Sequence, residues 1–337
     1  MDGGSENMAT KRDIVGRILA GRGMKPGAAG CAFAPANIAL VKYWGKRDEE
    51  LNLPVTSSLS VSLGRLGSEV EIQPAGPADV VVLNGQELPP DSSFARRVSA
   101  YLDLFRPAGA GFRVDARNTI PTAAGFASSA SGFAALVRAL DQLFGWRLET
   151  RELSILARLG SGSACRSVYE GFVEWRAGEA ADGMDSYAVP LAETWPDLRM
   201  GLVVISGEEK AVGSRAGMKR TVETSPLYRA WPAKVAADLP EVRAAIRERD
   251  FHRLGRAAES NALAMHATMI AAWPPVIYWK PESLAVMKRV AELRAQGLAV
   301  YFTMDAGPNL KLLFERKDEF ALGAKFSGLQ VVAPFGP

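Results

Sequence analysis

The chain has 337 residues, of which 48% are hydrophobic and 23% charged, as is typical of a globular protein with a filled core. Its formal net charge of +3 is too small to suggest a nucleic-acid or membrane partner, and no apolar run approaches the roughly 20 residues of a membrane span. The two cysteines, Cys31 and Cys165, provide neither a disulfide framework nor zinc-ligand spacing, so we expect reduced thiols in a cytoplasmic protein. We expect structural roles for the histidines, His252 and His266.

Residues 1–28 are polar and glycine-rich, and they lack the apolar stretch of a secretory signal. Ile14, Ile18 and Leu19 give part of this segment an amphipathic pattern. It is therefore interpreted as an N-terminal extension that forms either a short helix or a disordered arm.

Short strands are predicted next. Residues 58–63 alternate small polar and apolar side chains, and residues 70–72 continue the alternation after a turn that contains glycine. The apolar residues 80–83 are followed by Asn84-Gly85, a strong signal for a two-residue β-hairpin.

Helices and further strands follow the hairpin. Phe133, Val137, Leu140 and Phe144 lie on one helical face, and Gly145 ends that helix. A second helix is expected to begin with Thr150 as its N-cap. The remaining predicted elements are strands at 171–175 and 202–205, a helix at 283–296, and strands at 298–303 and 310–315. The mixture predicts an α+β protein of two lobes, with residues 29–190 in the N-terminal lobe and residues 191–337 in the C-terminal lobe.

The segment 121–132 consists of small and hydroxyl-bearing residues and leads directly into the first long helix. A helix N-terminus offers unpaired N–H groups to a phosphate, and small residues allow a close approach. Ser128, Ser129 and Ser131 would add hydroxyl groups. A tightly packed turn before a buried helix is an equally good interpretation of this segment alone.

The segment 160–167, with two glycines, three serines and Arg166, follows the second helix. Arginine presents a planar fork that matches a carboxylate or a phosphate. The composition therefore favours a loop that wraps an anion.

Two more segments carry charged groups beside rigid structure. In residues 34–47, Lys42 is followed by two aromatic residues and by Lys46-Arg47, although a basic surface turn would have the same pattern. In residues 304–309, Asp305 follows an apolar strand and precedes Gly-Pro, which places a carboxylate at a sharp turn. An aspartate there is often only a turn former.

Taken together, these segments resemble the GHMP kinase superfamily and, more closely, its diphosphomevalonate decarboxylase family. The stretches KYWGKRD (42–48) and GSGSACRS (160–167) are specific to that family, and the match runs from about residue 32 to the C-terminus. The resemblance implies a two-lobed GHMP kinase fold, with a ribosomal-protein-S5-like N-terminal lobe and a ferredoxin-like C-terminal lobe. It also implies an ATP- and Mg²⁺-dependent reaction. In that reaction the 3-hydroxyl of mevalonate 5-diphosphate is phosphorylated, and phosphate and CO₂ then leave to give isopentenyl diphosphate.

The resemblance also assigns roles to residues. It implies that Asp305 is the catalytic acidic residue, which acts on the 3-hydroxyl of the substrate as a base or positions it. It implies that Lys42 is the cationic neighbour of Asp305 and that Arg166 holds the substrate carboxylate that is lost. The residues placed around the substrate diphosphate are Tyr43, Lys46, Ser161, Gly162, Ser163, Ser214, Arg215 and Met218. Those placed at ATP are Asn37, Gly125, Ala127, Ser128, Ser129 and Ser131. No metal ligand is assigned.

Ser214-Arg215 follows the bacterial form of its motif, and the family implies a homodimer. Three alternatives stay open from the sequence: a phosphomevalonate decarboxylase, a mevalonate 3-kinase, and a catalytically silent GHMP-fold binding protein. The joint presence of Asp305, Lys42 and Arg166 favours a decarboxylase over the last two.

Overall fold

The computed structural model describes residues 9–119, 128–208 and 210–336, except for the side chain of Ser128. The helices are α1 (Lys11–Ile18), α2 (Ser93–Leu102), α3 (Ser128–Phe144), α4 (Thr150–Gly160), α5 (Ser214–Thr224), α6 (Trp231–Glu248), α7 (Phe251–Ile270), α8 (Pro281–Ala295) and α9 (Glu319–Gly323). The strands are β1 (Gly30–Val41), β2 (Lys46–Asp48), β3 (Leu53–Pro54), β4 (Ser58–Ala75), β5 (Val80–Leu83), β6 (Gln86–Glu87), β7 (Gly111–Asn118), β8 (Phe172–Trp175), β9 (Ala188–Pro190), β10 (Leu198–Val203), β11 (Tyr301–Met304), β12 (Leu310–Glu315) and β13 (Gln330–Val332). The α+β prediction is confirmed.

Part of the N-terminal extension is a helix. Thr10 caps α1 in a capping box, since its hydroxyl accepts a hydrogen bond from the Asp13 N–H and its own N–H donates to the Asp13 carboxylate. Ile14, Val15 and Ile18 are buried in the same core cluster as Leu51 and other residues of the N-terminal half. For residues 11–18 the helical alternative is the correct one, and residues 1–8 lie outside the described residues.

The first sheet has the strand order β6-β5-β7-β4-β8-β9, and β1 pairs with β4. The predicted turn between residues 63 and 70 is wrong, because β4 runs through it as one strand. A Cβ atom on Gly67 would lie 2.1 Å from the Ala34 carbonyl oxygen, so glycine permits a close approach of β1 rather than a turn. The hairpin prediction is confirmed, with φ of 51° at Asn84 and 83° at Gly85.

The two predicted central helices exist as α3 and α4. The N-cap of α4 is Glu149, so the prediction of Thr150 as its cap is wrong by one residue. Helix α3 packs against β1 and β4, and α7 packs against β1 from the C-terminal half. Strand β1 is therefore covered by helices of both halves, which explains why its second half is continuously buried.

The second sheet has the order β11-β12-β10-β13, and all its pairs are antiparallel. Helices α2, α5, α6 and α7 were not predicted from the sequence. One hydrophobic core joins residues of β1 and β4 to those of β10, β11, β12 and α7. The predicted division at residues 190/191 stays a prediction. Among the described helices none is both long and apolar enough to cross a membrane.

Candidate active site

The carboxylate of Asp305 lies between the ammonium groups of two buried lysines. Lys42, just after β1, places its Nζ 2.8 Å from Asp305 Oδ1, and Lys311, within β12, places its Nζ 2.9 Å from Oδ2. Each lysine side chain is only 2% exposed, whereas that of Asp305 is 31% exposed. We call Lys42, Asp305 and Lys311 the aspartate centre. The carboxylate is its accessible member.

Electrostatics fix the charge states in this centre. Burial alone would raise the pKa of Asp305, but the charges and hydrogen bonds of Lys311 and Lys42 outweigh it and hold that pKa far below its ordinary range. Burial lowers the pKa of Lys42 to about 8, although Asp305 opposes the shift. At neutral pH the centre therefore holds one carboxylate between two cations.

Helix α7 positions both members of the Lys42–Asp305 pair. The Asn261 side-chain oxygen accepts a hydrogen bond from the Lys42 N–H at 2.8 Å, and its amide nitrogen donates to Asp238 at 2.7 Å. The His266 Nε2 donates to the Asp305 carbonyl oxygen at 3.1 Å. Burial and the charge of Lys42 lower the pKa of His266 to about 3, so the ring is neutral. Its structural role, predicted from the sequence, consists of holding the Asp305 loop.

Arg166 ends a 3₁₀ turn (Gly162–Arg166) and is buried. Its Nε donates to Asn37 Oδ1 at 3.1 Å, and its Nη1 donates to the hydroxyl of Ser58. The charges of Arg166 and Asp305 interact favourably. The structure thus brings Arg166 and the aspartate centre into one site. Asn37 forms hydrogen bonds with both Arg166 and Ser167. Its predicted role in binding ATP stays a prediction.

The turn that precedes Arg166 packs closely on Tyr43. A Cβ atom on Gly162 would lie 2.8 Å from the Tyr43 hydroxyl oxygen, so only glycine fits there. Among the described residues no group forms a hydrogen bond with that buried hydroxyl. Ser161 and Ser163 flank Gly162 and are partly exposed. A phosphate oxygen at this turn would satisfy the tyrosine hydroxyl.

Four cations lie together at the outer part of the site. We name this group the cationic rim: Lys11, Lys46, Arg97 and Arg215. Burial, together with the charge of Arg215, lowers the pKa of the other three members. Lys46 pairs with Glu49 at 2.7 Å, and their side chains are 5% and 52% exposed. Arg97 lies over the Phe133 ring, 5.5 Å from its centroid. The rim holds like charges together, as a site for a polyanion does.

The other predicted residues have varied positions. Ser214 begins α5 and its hydroxyl lies 3.4 Å from Lys210 Nζ, whereas Met218 is buried in the core. Ser131 is fully buried and its hydroxyl lies 2.7 Å from that of Ser68. Ser129, in the first turn of α3, faces a cleft. Gly125, Ala127 and the side chain of Ser128 lie outside the described residues.

Sequence reasoning missed several residues of this site. Lys311 could have been noticed as a lone charge in the apolar strand 310–314, and Lys11 as a cation at a helix start. Lys210, whose charge interacts with those of Asp305 and Lys311, lies in a segment without any periodic signal. Asn261 had no sequence signal, because α7 itself was not predicted.

Comparison with known proteins agrees with this geometry. Residues 34–188 match the diphosphomevalonate decarboxylase-like N-terminal domain, and residues 201–327 match the mevalonate 5-diphosphate decarboxylase C-terminal domain. Diphosphomevalonate decarboxylase mvd1 of Aspergillus fumigatus is 41% identical over 312 residues, which are 85% of this chain and 76% of that protein. The human diphosphomevalonate decarboxylase is 41% identical over 311 residues, again 85% of this chain and 76% of the relative.

Solved structures give the same result. The Enterococcus faecalis mevalonate diphosphate decarboxylase is 41% identical with a TM-score of 0.84, and the match covers 91% of this chain and 98% of that one. A complex designated MDDEF, with MVAPP, AMPPCP and magnesium, is 43% identical with a TM-score of 0.85 and the same coverage. The Staphylococcus aureus enzyme is 40% identical with a TM-score of 0.84, covering 91% and 95%. The fold is therefore the two-lobed GHMP kinase fold, and the chain belongs to the diphosphomevalonate decarboxylase family.

Proposed function

We propose that this protein catalyses the ATP-dependent decarboxylation of (R)-mevalonate 5-diphosphate to isopentenyl diphosphate, ADP, phosphate and CO₂. The observation that carries the proposal is the convergence of two buried charge sites, the aspartate centre and Arg166. The aspartate centre suits a reacting hydroxyl, and Arg166 suits a carboxylate that is to be lost. A plain kinase needs only the first.

The substrate is proposed to span the site from this centre to the cationic rim. Its 3-hydroxyl would donate a hydrogen bond to Asp305, and its carboxylate would accept from the guanidinium of Arg166. The diphosphate would then lie along Tyr43 and the serines of the 3₁₀ turn, with Lys46 and Arg215 at its outer end. In this placement a phosphate oxygen would accept a hydrogen bond from the Tyr43 hydroxyl, and the negative charge of the diphosphate would offset the positive charge of the cationic rim.

ATP is proposed to bind at the N-terminus of α3. A small apolar cleft lies beside that terminus and is lined by Phe94, Val98, Val114 and Phe133. The charge of Lys210 interacts with those of Asp305 and Lys311, so this lysine suits the γ-phosphate that is transferred beside Asp305. The structure neighbour bound to AMPPCP and magnesium supports the same ligands.

A magnesium ion would be held chiefly by phosphate oxygens. The described residues contain no cluster of histidine, cysteine, aspartate and glutamate that could hold a metal, and Mg²⁺ commonly keeps to phosphates with few protein ligands. Ser129 offers a hydroxyl in the first turn of α3. When bound, magnesium would neutralise negative charge on the phosphates.

The residues then act in sequence. Asp305 orients the hydroxyl oxygen toward the γ-phosphorus while Lys42 stabilises charge on the transferring group. When the new phosphate leaves the tertiary carbon, positive charge develops at that carbon. Arg166 keeps the neighbouring carboxylate in place until its C–C bond breaks and its electrons form the double bond.

The test is an assay of purified protein with Mg-ATP and (R)-mevalonate 5-diphosphate. We expect ADP, phosphate and CO₂ in equal amounts. ADP without CO₂ would indicate a 3-kinase, and preference for the monophosphate would indicate a phosphomevalonate decarboxylase. Absence of turnover with all of these substrates would leave a silent binding protein.

Three further properties are proposed. Exposed Leu227, Trp273 and Ile277 favour the predicted homodimer, which light scattering would test. Both cysteines are free, which supports a reducing compartment such as the cytoplasm. The third property, that the protein is of the bacterial type within its family, is supported by Ser214-Arg215 alone. The relatives from Aspergillus fumigatus, human and Enterococcus faecalis are each 41% identical to this chain and do not distinguish the types.

A further inference from the structure

Lys311 occupies a position where an apolar residue would be expected. It lies in β12 among Leu310, Leu312 and Leu313, and it pairs in the sheet with Leu202 on one side and Thr303 on the other. Its ammonium group is as fully buried as that of Lys42. Burying a charge in a strand is unfavourable unless a partner compensates it.

Asp305 is that partner, but Lys42 already neutralises it. A second ammonium gives the aspartate centre a net positive charge, an arrangement that does not maximise stability. The surroundings add more positive charge. Within the ranges that the structure describes, the other titratable groups that interact with Asp305 are cationic or neutral: Arg166, Lys210 and His266.

A carboxylate in such surroundings is a weak base. Both its oxygens accept hydrogen bonds from ammonium groups, so gaining a proton would forfeit two charge-assisted contacts. The efficiency of a general base falls as its pKa falls below the operating pH. Asp305 can accept a hydrogen bond from a hydroxyl but cannot readily remove its proton.

We propose that Lys311 is a positioning residue which, together with Lys42, locks Asp305 as an ionised hydrogen-bond acceptor for the substrate hydroxyl, so that Asp305 orients this nucleophile and does not deprotonate it. This inference rests on the proposed function. The hydroxyl oxygen forms its bond to the γ-phosphorus as the bond to the ADP oxygen breaks. The hydroxyl proton passes to an oxygen of the transferred phosphoryl group. It leaves with inorganic phosphate when the C–O bond breaks and CO₂ departs, so the atoms and charges balance without a protein base.

The experiment compares Lys311→Met, Lys311→Gln and Lys311→Arg with wild type, and Lys317→Met serves as a matched control because Lys317 is an exposed lysine just beyond β12. Rates with mevalonate diphosphate and Mg-ATP are measured across pH, and thermal unfolding confirms folding. We expect kcat of the neutral variants at neutral pH to fall roughly 10- to 100-fold through lost positioning, with KM nearly unchanged. An acid limb should appear in their kcat/KM profiles, because the pKa of Asp305 rises toward its ordinary range.

The decline of kcat/KM at high pH should also shift in the neutral Lys311 variants. Lys311 contributes to lowering the pKa of Lys42, so its removal should shift the loss of kcat/KM at high pH further upward. Lys311→Arg should have the same kcat/KM profile at low pH as wild type. Lys317→Met should have the wild-type profile at every pH. A rise in kcat for Lys311→Met at neutral pH would show that Asp305 is a base. Unchanged pH profiles would show that Lys311 does not control Asp305.

A second measurement does not depend on the substrate. In free enzyme labelled with ¹³C at aspartate carboxyl carbons, the Asp305 signal is assigned by its loss in Asp305→Asn. We expect no titration of that signal in wild type down to the acid limit of folding, and clear titration in Lys311→Met. Titration in wild type would overturn the inference. Absence of CO₂ release by wild type would instead refute the proposed function alone.

Discussion

The aspartate centre and the cationic rim are both clusters of cations at one substrate site, yet they are built differently. In the centre the two lysines are 2% exposed and are fixed on Asp305 at 2.8 and 2.9 Å. In the rim Arg215 is exposed, and Lys46, itself 5% exposed, pairs with Glu49, which is 52% exposed. The centre is preorganised for charge that develops during reaction, whereas the rim can rearrange around a ligand that arrives already charged.

This difference predicts unequal sensitivity to substitution. A preorganised buried cluster should tolerate almost no change in charge or shape, because its members have no water to replace a lost partner. Exposed rim charges should contribute less each, and chiefly to binding. The following substitutions test that contrast.

The largest effect is expected for Asp305→Asn. The amide nitrogen would face one of the two ammonium groups, so the centre would lose both a contact and its only anion. We expect kcat to fall roughly 10³-fold, measured as ADP release under saturating substrates.

The control for Asp305→Asn is thermal unfolding together with ATP binding, since two buried lysines remain without their carboxylate. A folded Asn variant that retains a tenth or more of wild-type kcat would show that the centre is not the reacting site.

Arg166→Lys is expected to be nearly as damaging. The guanidinium contacts Asn37 and Ser58 at once, and a single ammonium cannot reproduce that planar geometry. We expect CO₂ release to fall about 100-fold, with ADP formation less affected. The CO₂-to-ADP ratio measures the effect, and Arg117→Lys on the exposed surface is the control. A ratio of one at wild-type rate would assign Arg166 to structure alone.

Arg215→Ala should affect the rim and leave the chemistry intact. A charge-assisted contact is worth roughly 1.5–3 kcal/mol, so kcat/KM with the diphosphate should fall about 10- to 100-fold. With the monophosphate the loss should be much smaller, because the shorter substrate does not extend to Arg215. Lys219→Ala, an exposed lysine on the same helix, is the control. Equal losses with both substrates would mean that Arg215 does not contact the terminal phosphate.

The smallest effect is expected for Glu49→Gln, and it is favourable. Glu49 pairs with Lys46, so in the proposed complex it would compete with the substrate for Lys46 and repel the substrate phosphates. Since exposed pairs are worth about 0.2–1 kcal/mol, KM for the diphosphate should fall by roughly 1.5- to 5-fold. Glu87→Gln, an exposed acid on β6, is the matched control. An increased KM would show that Glu49 instead holds Lys46 in its binding position.

Features with a local physical cause could be predicted from the sequence. Asn84-Gly85 set a hairpin because both residues tolerate positive φ, and the spacing of Phe133, Val137, Leu140 and Phe144 set α3. The resemblance to the family identified Lys42, Asp305 and Arg166, which the structure brings together. The turn expected between residues 63 and 70 is wrong because glycine permits either a turn or a close approach of two backbones, and Gly67 here allows β1 to approach β4.

The set of charges that share the site could not be predicted, because long-range packing brings these charges together. Lys42 meets Asp305 through a hydrogen bond between positions separated by 263 residues, and Asn261 holds Lys42 across 219 residues. No periodicity records such contacts, since they arise from the packing of β1 between two halves of the chain. Lys311 reads in the sequence as an isolated charge within a strand. Its role became visible only when the antiparallel pairing of β11 and β12 placed its ammonium beside the carboxylate of Asp305.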